Sequence, residues 1–357
     1  MIGSFVKGQR HLRLSLIAVA SVATLTLTAC GGSSPDTAEE TATTTETAAA
    51  EETSQEAAEL SGPRVGIFVD NAFGDGDFFD QAAVAEAQLV EQFGATVTTY
   101  EGQLQAQNFE PLLQDAGENN DLVFVLGFEA IDAMLKTATD NPNATYVFID
   151  AAIDSPDIVS AEFRTAEGCF MAGALAATVN KANGSSVAGF IGGVDAPVIK
   201  NCESGYTQGV AAVDPAQAVD PQYAGSFVDP AKGSEIAIAL KNAGAFSVFS
   251  YAGLTGAGAF DAAKSGEAIA PIGVVSDKSA LAPGKSPGSL EMGVDSVILE
   301  NTASFVDGSL TKGTVQSYGF DNGGWGMVYN ADLVSTDQQA ALDAIQAQLV
   351  SGEISTE

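Results

Sequence analysis

From residue 64 onward the chain alternates twice between short, nearly all-apolar runs and longer segments with apolar residues at helical spacing. No other feature constrains the fold as much. The first series runs from a strand at Arg64–Val69 through a helix over Phe79–Phe93, a strand at Ala95–Tyr100 and a helix over Phe109–Ala116. It continues with the buried strand Leu122–Leu126, a helix through Ile131 and Leu135, and the strand Tyr146–Ile149 ending at Asp150. After Phe163 the pattern restarts. Helix Glu167–Val179 leads to strand Val187–Ile191, helix Pro197–Val213, strand Gln222–Phe227, helix Pro230–Ala243, strand Phe246–Ser250, helix Gly256–Ala263 and strand Ala268–Val275. Strands alternating with helices of this length imply βαβ units, and continuous apolar strands imply parallel sheets covered on both faces. The reading is α/β, with two doubly wound parallel-sheet lobes joined by a hinge.

In open sheets of this kind ligands bind beyond the carboxyl ends of the strands. The residues there include Asp70, Gly127, Asp150, Gly192, Phe227, Tyr251 and Asp277. Chain crossings between lobes are expected near Glu162–Thr165, Ser250–Gly253 or Val275–Asp277, and Leu290–Val294.

The N-terminus is of another kind. Leu14 to Ala29 is 16 residues without a charge, preceded by Lys7, Arg10 and Arg13. A bilayer-spanning helix needs about 20 apolar residues, whereas a basic start, a shorter apolar core and small terminal residues describe a secretory signal. The ending Leu27-Thr28-Ala29-Cys30-Gly31 resembles the bacterial lipobox, in which Cys30 is lipidated and becomes the first residue of the mature protein. Residues 31–59 carry eight acids and no aromatic residue. Such a stretch cannot bury enough surface to offset its ordering entropy, and as a flexible tether it spans about 30 Å. The expected organisation is a lipoprotein signal peptide at 1–29 and a disordered acidic tether at 30–60. Lobe 1 then comprises 61–162 and 294–322, and lobe 2 comprises 163–293 and 323–357. The localisation implied is a lipid-anchored domain on the extracytoplasmic face of a cell membrane.

Charge and residue inventory exclude several functions. The chain holds 46 acidic and 14 basic residues, a net charge of −32; without the eight acids and three basic residues of 1–59, it still holds 38 acids against 11 bases. Phosphate contact needs a basic face, so nucleic acid is excluded as a partner. The one histidine, His11, lies in the signal, leaving the mature chain no Ser-His-Asp or Cys-His arrangement and no His-bearing zinc site. Asp75, Asp77 and Asp80 in "DGDFFD" lack the glycine and terminal glutamate of a calcium loop. "GLTGAG" at 253–258 is neither a P-loop nor G-x-G-x-x-G, and reads as a tight turn before a helix. No enzyme activity, metal or cofactor is expected.

Four stretches then carry a resemblance: "EGCFMAG" (167–173), "FIGGVDAPVI" (190–199), "GSFVDPAKGSEIA" (225–237) and "AGLTGAGAFDAAK" (252–264). In this order and spacing, over roughly residues 64–330, the chain resembles the basic membrane protein family of ABC-transporter substrate-binding lipoproteins, whose best-known members are purine-nucleoside receptors. The resemblance implies a type I periplasmic-binding fold, a nucleoside-like small-molecule ligand held between the lobes, ABC permease subunits as partners, and a monomer. It implies that Phe79 and Phe227 stack on the ligand from opposite lobes and that Asp70 and Asp150 line the cleft. Asp80 stands where the family has asparagine. Asp277 matches the second acid of the family's Gly-Val-Asp-Ser-Asp, whereas the first falls at Val275 and a family lysine falls at Met292. Phe128 and Gly253, beside two strand ends, complete the candidate ligand-binding set.

Three readings share these features: substrate capture for an importer, a sensing lipoprotein that presents its ligand to a membrane receptor without transport, and an extracytoplasmic enzyme on the same scaffold, against which the missing histidine weighs. With Cys30 acylated, Cys169 and Cys202 remain as either a disulfide, which an oxidising compartment would preserve, or two buried thiols.

Overall fold

The computed structural model describes residues 61–356; the signal, Cys30 and the tether lie outside the described residues. The chain opens with β1 (Arg64–Val69), α1 (Phe78–Phe93), β2 (Thr96–Glu101), α2 (Ala106–Asn119), β3 (Leu122–Leu126), α3 (Ile131–Asp140), β4 (Thr145–Ile149) and β5 (Ile158–Phe163). It continues with α4 (Thr165–Asn183), β6 (Val187–Gly192), α5 (Pro197–Val213), β7 (Ala218–Tyr223), α6 (Pro230–Asn242), β8 (Ala245–Tyr251), α7 (Ala257–Lys264), β9 (Ala270–Val275) and β10 (Gly288–Met292). The last elements are α8 (Val294–Val306), β11 (Val315–Tyr318), β12 (Trp325–Tyr329) and α9 (Thr336–Val350).

Two six-stranded sheets result, in the orders β2-β1-β3-β4-β5-β11 and β7-β6-β8-β9-β10-β12. Every pairing is parallel except that of β10 with β12. Central strands such as β3 (LVFVL) and β9 (APIGVV) are buried along their whole length, because helices cover both faces. The doubly wound, two-lobed α/β reading holds. In each sheet the strand order reverses between two central neighbours, β1 and β3 in one and β6 and β8 in the other. That reversal opens a crevice at the carboxyl ends.

The strand before Phe227 differs from the sequence reading. β7 ends at Tyr223, so Phe227 sits on the loop before α6 rather than at a strand end. The reason is local: β7 (AVDPQY) is a largely exposed edge strand holding Pro221, and an edge tolerates the missing N–H. Its apolar pattern is therefore too weak to mark its bounds.

The chain passes between the sheets three times: from β5 into α4, from β10 into α8, and from β11 into β12. β8, β9 and β10 stay in one sheet, so Ser250–Gly253 and Val275–Asp277 are not crossings; the third lies at Tyr318–Trp325. The three passages are tied together. Arg164 N–H donates to Tyr318 O at 2.7 Å, its Nε donates to Glu167 at 2.6 Å, and its guanidinium also bonds Asp321. Phe320 N–H donates to the other Glu167 oxygen at 2.8 Å, Trp325 Nε1 donates to Arg164 O at 3.0 Å, and Gly293 N–H donates to Gly324 O at 3.0 Å.

Helix α4 is buried almost all round, the position of a central helix. It meets α5 backbone to backbone: a Cβ added at Gly173 would fall 2.1 Å from Tyr206 O, and one at Gly209 would fall 1.9 Å from Phe170 O. The structure joins Cys169 of α4 to Cys202 of α5 across this contact, with Cα atoms 5.2 Å apart. Among the described residues no helix is long and apolar enough to cross a membrane.

Candidate functional site

A cavity of about 500 Å³ lies where the carboxyl ends of both sheets converge, within the range of small-molecule sites. One side is built by the residues after β1, β3 and β4: Asp70, Phe128, Glu129 and Asp150. The other is built by residues at or just after the ends of β8 and β9 and on the loop before α6: Tyr251, Gly253, Val275 and Phe227. An adjoining cavity of about 270 Å³ runs beside the β9–β10 loop and includes Asp277 and Lys278.

The acids on the main wall differ in their partners. Asp70 is only 2 % exposed and its Oδ2 has no hydrogen-bond partner among the described residues. Burial first, then the neighbouring Glu129, pushes its carboxyl up to about 8, since both disfavour the charged form. Space for the side chain comes from Gly127, where the backbone has φ +112° and an added Cβ would fall 1.9 Å from Asp70 Cγ. Asp150 also has a buried, unpartnered oxygen, Oδ1. Burial alone pushes its carboxyl up to about 7, and its charge in turn helps hold the Tyr251 hydroxyl well above the usual range, after burial itself.

Three non-glycine residues lining this cavity have left-handed backbone: Leu104 at φ +50°, Asp150 at φ +102° and Val275 at φ +72°. For a β-branched residue such as Val275 this is strained. Strain of order 1–3 kcal/mol persists only where the surroundings over-determine it, and it concentrates at ligand clamps. Asp150 follows a strand of one sheet and Val275 ends a strand of the other, both at the cavity.

The first loop, "DGDFFD", is organised by two of its own acids. Asp75 accepts from the N–H groups of Asp77 (2.9 Å), Asp80 (3.1 Å) and Phe79 (3.2 Å), capping the start of α1. Asp80 accepts from Gly74 N–H at 2.6 Å and Gly76 N–H at 2.8 Å. Both acids serve donors that a helix start and a tight turn leave unpaired. The loop thereby holds Phe78 and Phe79, whose rings lie 5.6 Å apart, at the cavity.

Of the residues singled out from sequence, Asp70, Phe79, Phe128, Asp150, Phe227 and Gly253 line the main cavity. Phe227 has its place because Gly193 leaves it room: a Cβ there would lie 2.3 Å from the ring. Asp80 is not on the wall, its oxygens being engaged within the loop. Asp277 faces the adjoining cavity instead and accepts from Ser279 N–H at 2.9 Å. Val275 and Met292 both line the main cavity, so that wall is apolar at the two positions where the resemblance implies an acid and a lysine. Sequence reasoning missed Glu129, although it follows β3 by three residues and the strand-end rule reaches it with slightly wider margins. It also missed Phe73, Phe78 and Lys278, for which loop sequence carries no periodic signal. Among the described residues no group of three or more His, Cys, Asp or Glu side chains converges as a metal site.

Residues 63–357 match the family described as "ABC transporter substrate-binding protein PnrA-like". The chain belongs to this family. The PnrA-like proteins are binding proteins rather than enzymes. Among relatives, the chain is 32% identical over 250 residues to the ABC transporter nucleoside-binding protein BmpA of Lactococcus lactis subsp. cremoris, covering 65% of this chain and 70% of that one. It is 28% identical over 302 residues to Basic membrane protein A of Borreliella afzelii, covering 82% and 90%. An ABC transporter solute-binding protein from Aeropyrum pernix K1 superposes with a TM-score of 0.71 at 25% identity, covering 82% of this chain and 92% of that one. The fold is thus the two-lobed type I solute-binding architecture, and the four stretches that carried the resemblance are placed by it. Glu167, Gly168 and Gly173 of "EGCFMAG" tie the crossings and pack α4, whereas Phe227 and Gly253 reach the cavity.

Proposed function

We propose that this PnrA-like protein captures a nucleoside or similar flat heterocycle between its two lobes outside the cytoplasm and delivers it to an ABC permease. The observation that carries the reading is the main cavity. It lies at the carboxyl ends of both sheets and gathers Phe79, Phe128, Phe227 and Tyr251 beside two carboxylates, Asp70 and Asp150, with unpartnered oxygens. Aromatic faces suit a flat ring, and free carboxylate oxygens suit its N–H or O–H groups. The nucleoside-binding relative in Lactococcus lactis supports the ligand class.

The working division is residues 61–162 and 294–322 against 163–293 and 323–357, closing about the three chain crossings. Cys30, through its lipid, fixes the domain to the membrane, and residues 30–60 serve as the tether. Calorimetry with guanosine, adenosine, inosine, cytidine and uridine, their bases, sugars and amines tests the capture step. Binding of a ring-bearing ligand below millimolar is expected, and none across the set would overturn the reading. Replacing Cys30 with Ser should release the protein to the soluble fraction or leave the signal uncleaved; normal membrane retention would sink the anchor.

A further inference from the structure

Among the described residues, the wall of the main cavity carries five carboxylates, Asp70, Asp75, Asp77, Glu129 and Asp150, and no lysine, arginine or histidine. Two of the five are engaged within the protein: Asp75 caps α1, and Asp77 faces Lys278 at 3.4 Å. Asp70 with Glu129, and Asp150, have no cation beside them among the described residues. A buried carboxylate without a counter-charge is among the costlier things a fold can hold. Yet Gly127 clears the space for Asp70, and a left-handed backbone turn positions Asp150. The unpartnered oxygens of both, one of them on a residue 98 % shielded from solvent, point to a missing partner rather than to solvated surface acids. The rings around them reinforce the same preference, because aromatic faces carry negative electrostatic potential and attract cations. Val275 and Met292, on the opposite wall, offer nothing that would neutralise a negative group.

We infer, on the reading that this cavity takes a flat heterocycle, that its preferred ligand carries a positive charge: a protonated nitrogen heterocycle, or an aromatic amine or amidine, seated among the rings with its charge toward Asp70, Glu129 and Asp150. The cation does for the site what no protein group does, and it shifts both acids to their charged forms on binding. Asp70 is faced by Glu129 and Asn71, and Asp150 by Tyr251; the Asp77–Lys278 pair sits on the adjoining loops. With the free-protein carboxyls at about 8 and about 7, binding of a cation below those values expels protons. Affinity therefore rises with pH up to about 8.

The test compares near-isosteric pairs by calorimetry on the lipid-free protein: 4-aminobenzamidine against 4-aminobenzamide, and 1-methyladenosine against adenosine. At pH 7.5 the cation of each pair should bind at least about tenfold tighter, with proton release seen as a dependence of the heat on buffer ionisation. The advantage should shrink at pH 5.5. Asp150→Asn, which keeps the shape, suits a left-handed backbone and removes no hydrogen bond of the protein, should bring the pairs within about threefold. Equal or tighter binding of either neutral member, or no binding of either cation, overturns the inference. If adenosine then binds, capture of nucleosides stands without the charge preference. If the wider nucleoside and base set also fails, the capture reading falls with it.

Discussion

Lys278, on the loop after β9, reaches across to the loop after β1: its Nζ lies 3.4 Å from Asp77 Oδ1 and donates to Gly76 O at 2.6 Å. The two side chains are 13 % and 7 % exposed, so the pair is shielded from solvent and salt. It joins a loop of one sheet to a loop of the other, at the rim of both cavities.

Lys278→Met should therefore loosen the closed form without unfolding either lobe. Removing one partner of a buried ion pair leaves an uncompensated charge, a loss worth several kcal/mol in well-shielded cases. Part of it is recovered when opening exposes Asp77 to water. Ligand release should speed up by about tenfold or more, at roughly 1.4 kcal/mol per tenfold. Stopped-flow dissociation measures it, and an unchanged off-rate would show that the Lys278–Asp77 pair does not restrain release.

The cavity acids make a second, opposite demand on pH. Asp70, Asp150 and Asp77 are raised to about 8, 7 and 6 from an ordinary value of 3.8, in each case mainly by burial. A carboxyl raised on folding keeps its proton in the native state where the unfolded chain has lost it. Its stabilising contribution is complete below the unfolded value and is lost as pH rises through the folded one. The ligand-free protein should thus melt highest in mild acid and lose melting temperature from pH 5 to pH 9, and Asp150→Asn should flatten the fall around pH 7. A melting temperature constant or rising over that range would contradict the assignment.

Cys169 and Cys202 are separated by 33 residues, and on the chain-entropy model a crosslink of that span contributes about 3–4 kcal/mol. Denaturant unfolding with and without reductant should differ by that order. Alkylation of the unreduced, lipid-free protein should label neither cysteine; two labels would exclude the bridge.

Much of this fold can be read from sequence because burial on both faces makes β1, β3, β4, β6, β8 and β9 continuous apolar runs. Where exposure returns, legibility goes. β7 carries Asp220 and Pro221 and ends four residues before Phe227, whereas β11 (VQSY) is a polar edge strand without a strand pattern. The site divides in the same way. Asp70, Asp150 and Tyr251 follow from the strand-end rule, since a parallel sheet leaves little choice about where its carboxyl ends face. Asp80 and Asp277 share the residue type and the neighbourhood, but backbone N–H groups of their own loops claim their oxygens. Which acid serves a turn and which keeps an oxygen open to the cavity follows from hydrogen-bond geometry, and no spacing rule encodes it.

The aromatic walls give the most direct check on whether the cavity holds a ring. Phe79 arrives on α1 beside Phe78, and Phe227 arrives on a loop that Gly193 and Gly253 allow to pack closely. Stacking on an aromatic side chain is worth about 1–3 kcal/mol per base in nucleic-acid binders, so Phe79→Ala or Phe227→Ala should each weaken a ring-bearing ligand by about one to two orders of magnitude. Both rings are only partly buried, so the melting temperatures of the ligand-free variants should stay near that of the parent. Asp277→Asn serves as the comparison, because Asp277 faces the adjoining cavity and bonds Ser279. It should change affinity less than Asp150→Asn does. Calorimetry on the four variants with one ring-bearing ligand orders them. If Asp277→Asn proves the most damaging and the phenylalanine variants bind normally, the ligand sits in the adjoining cavity, and the stacking role of Phe79 and Phe227 is withdrawn.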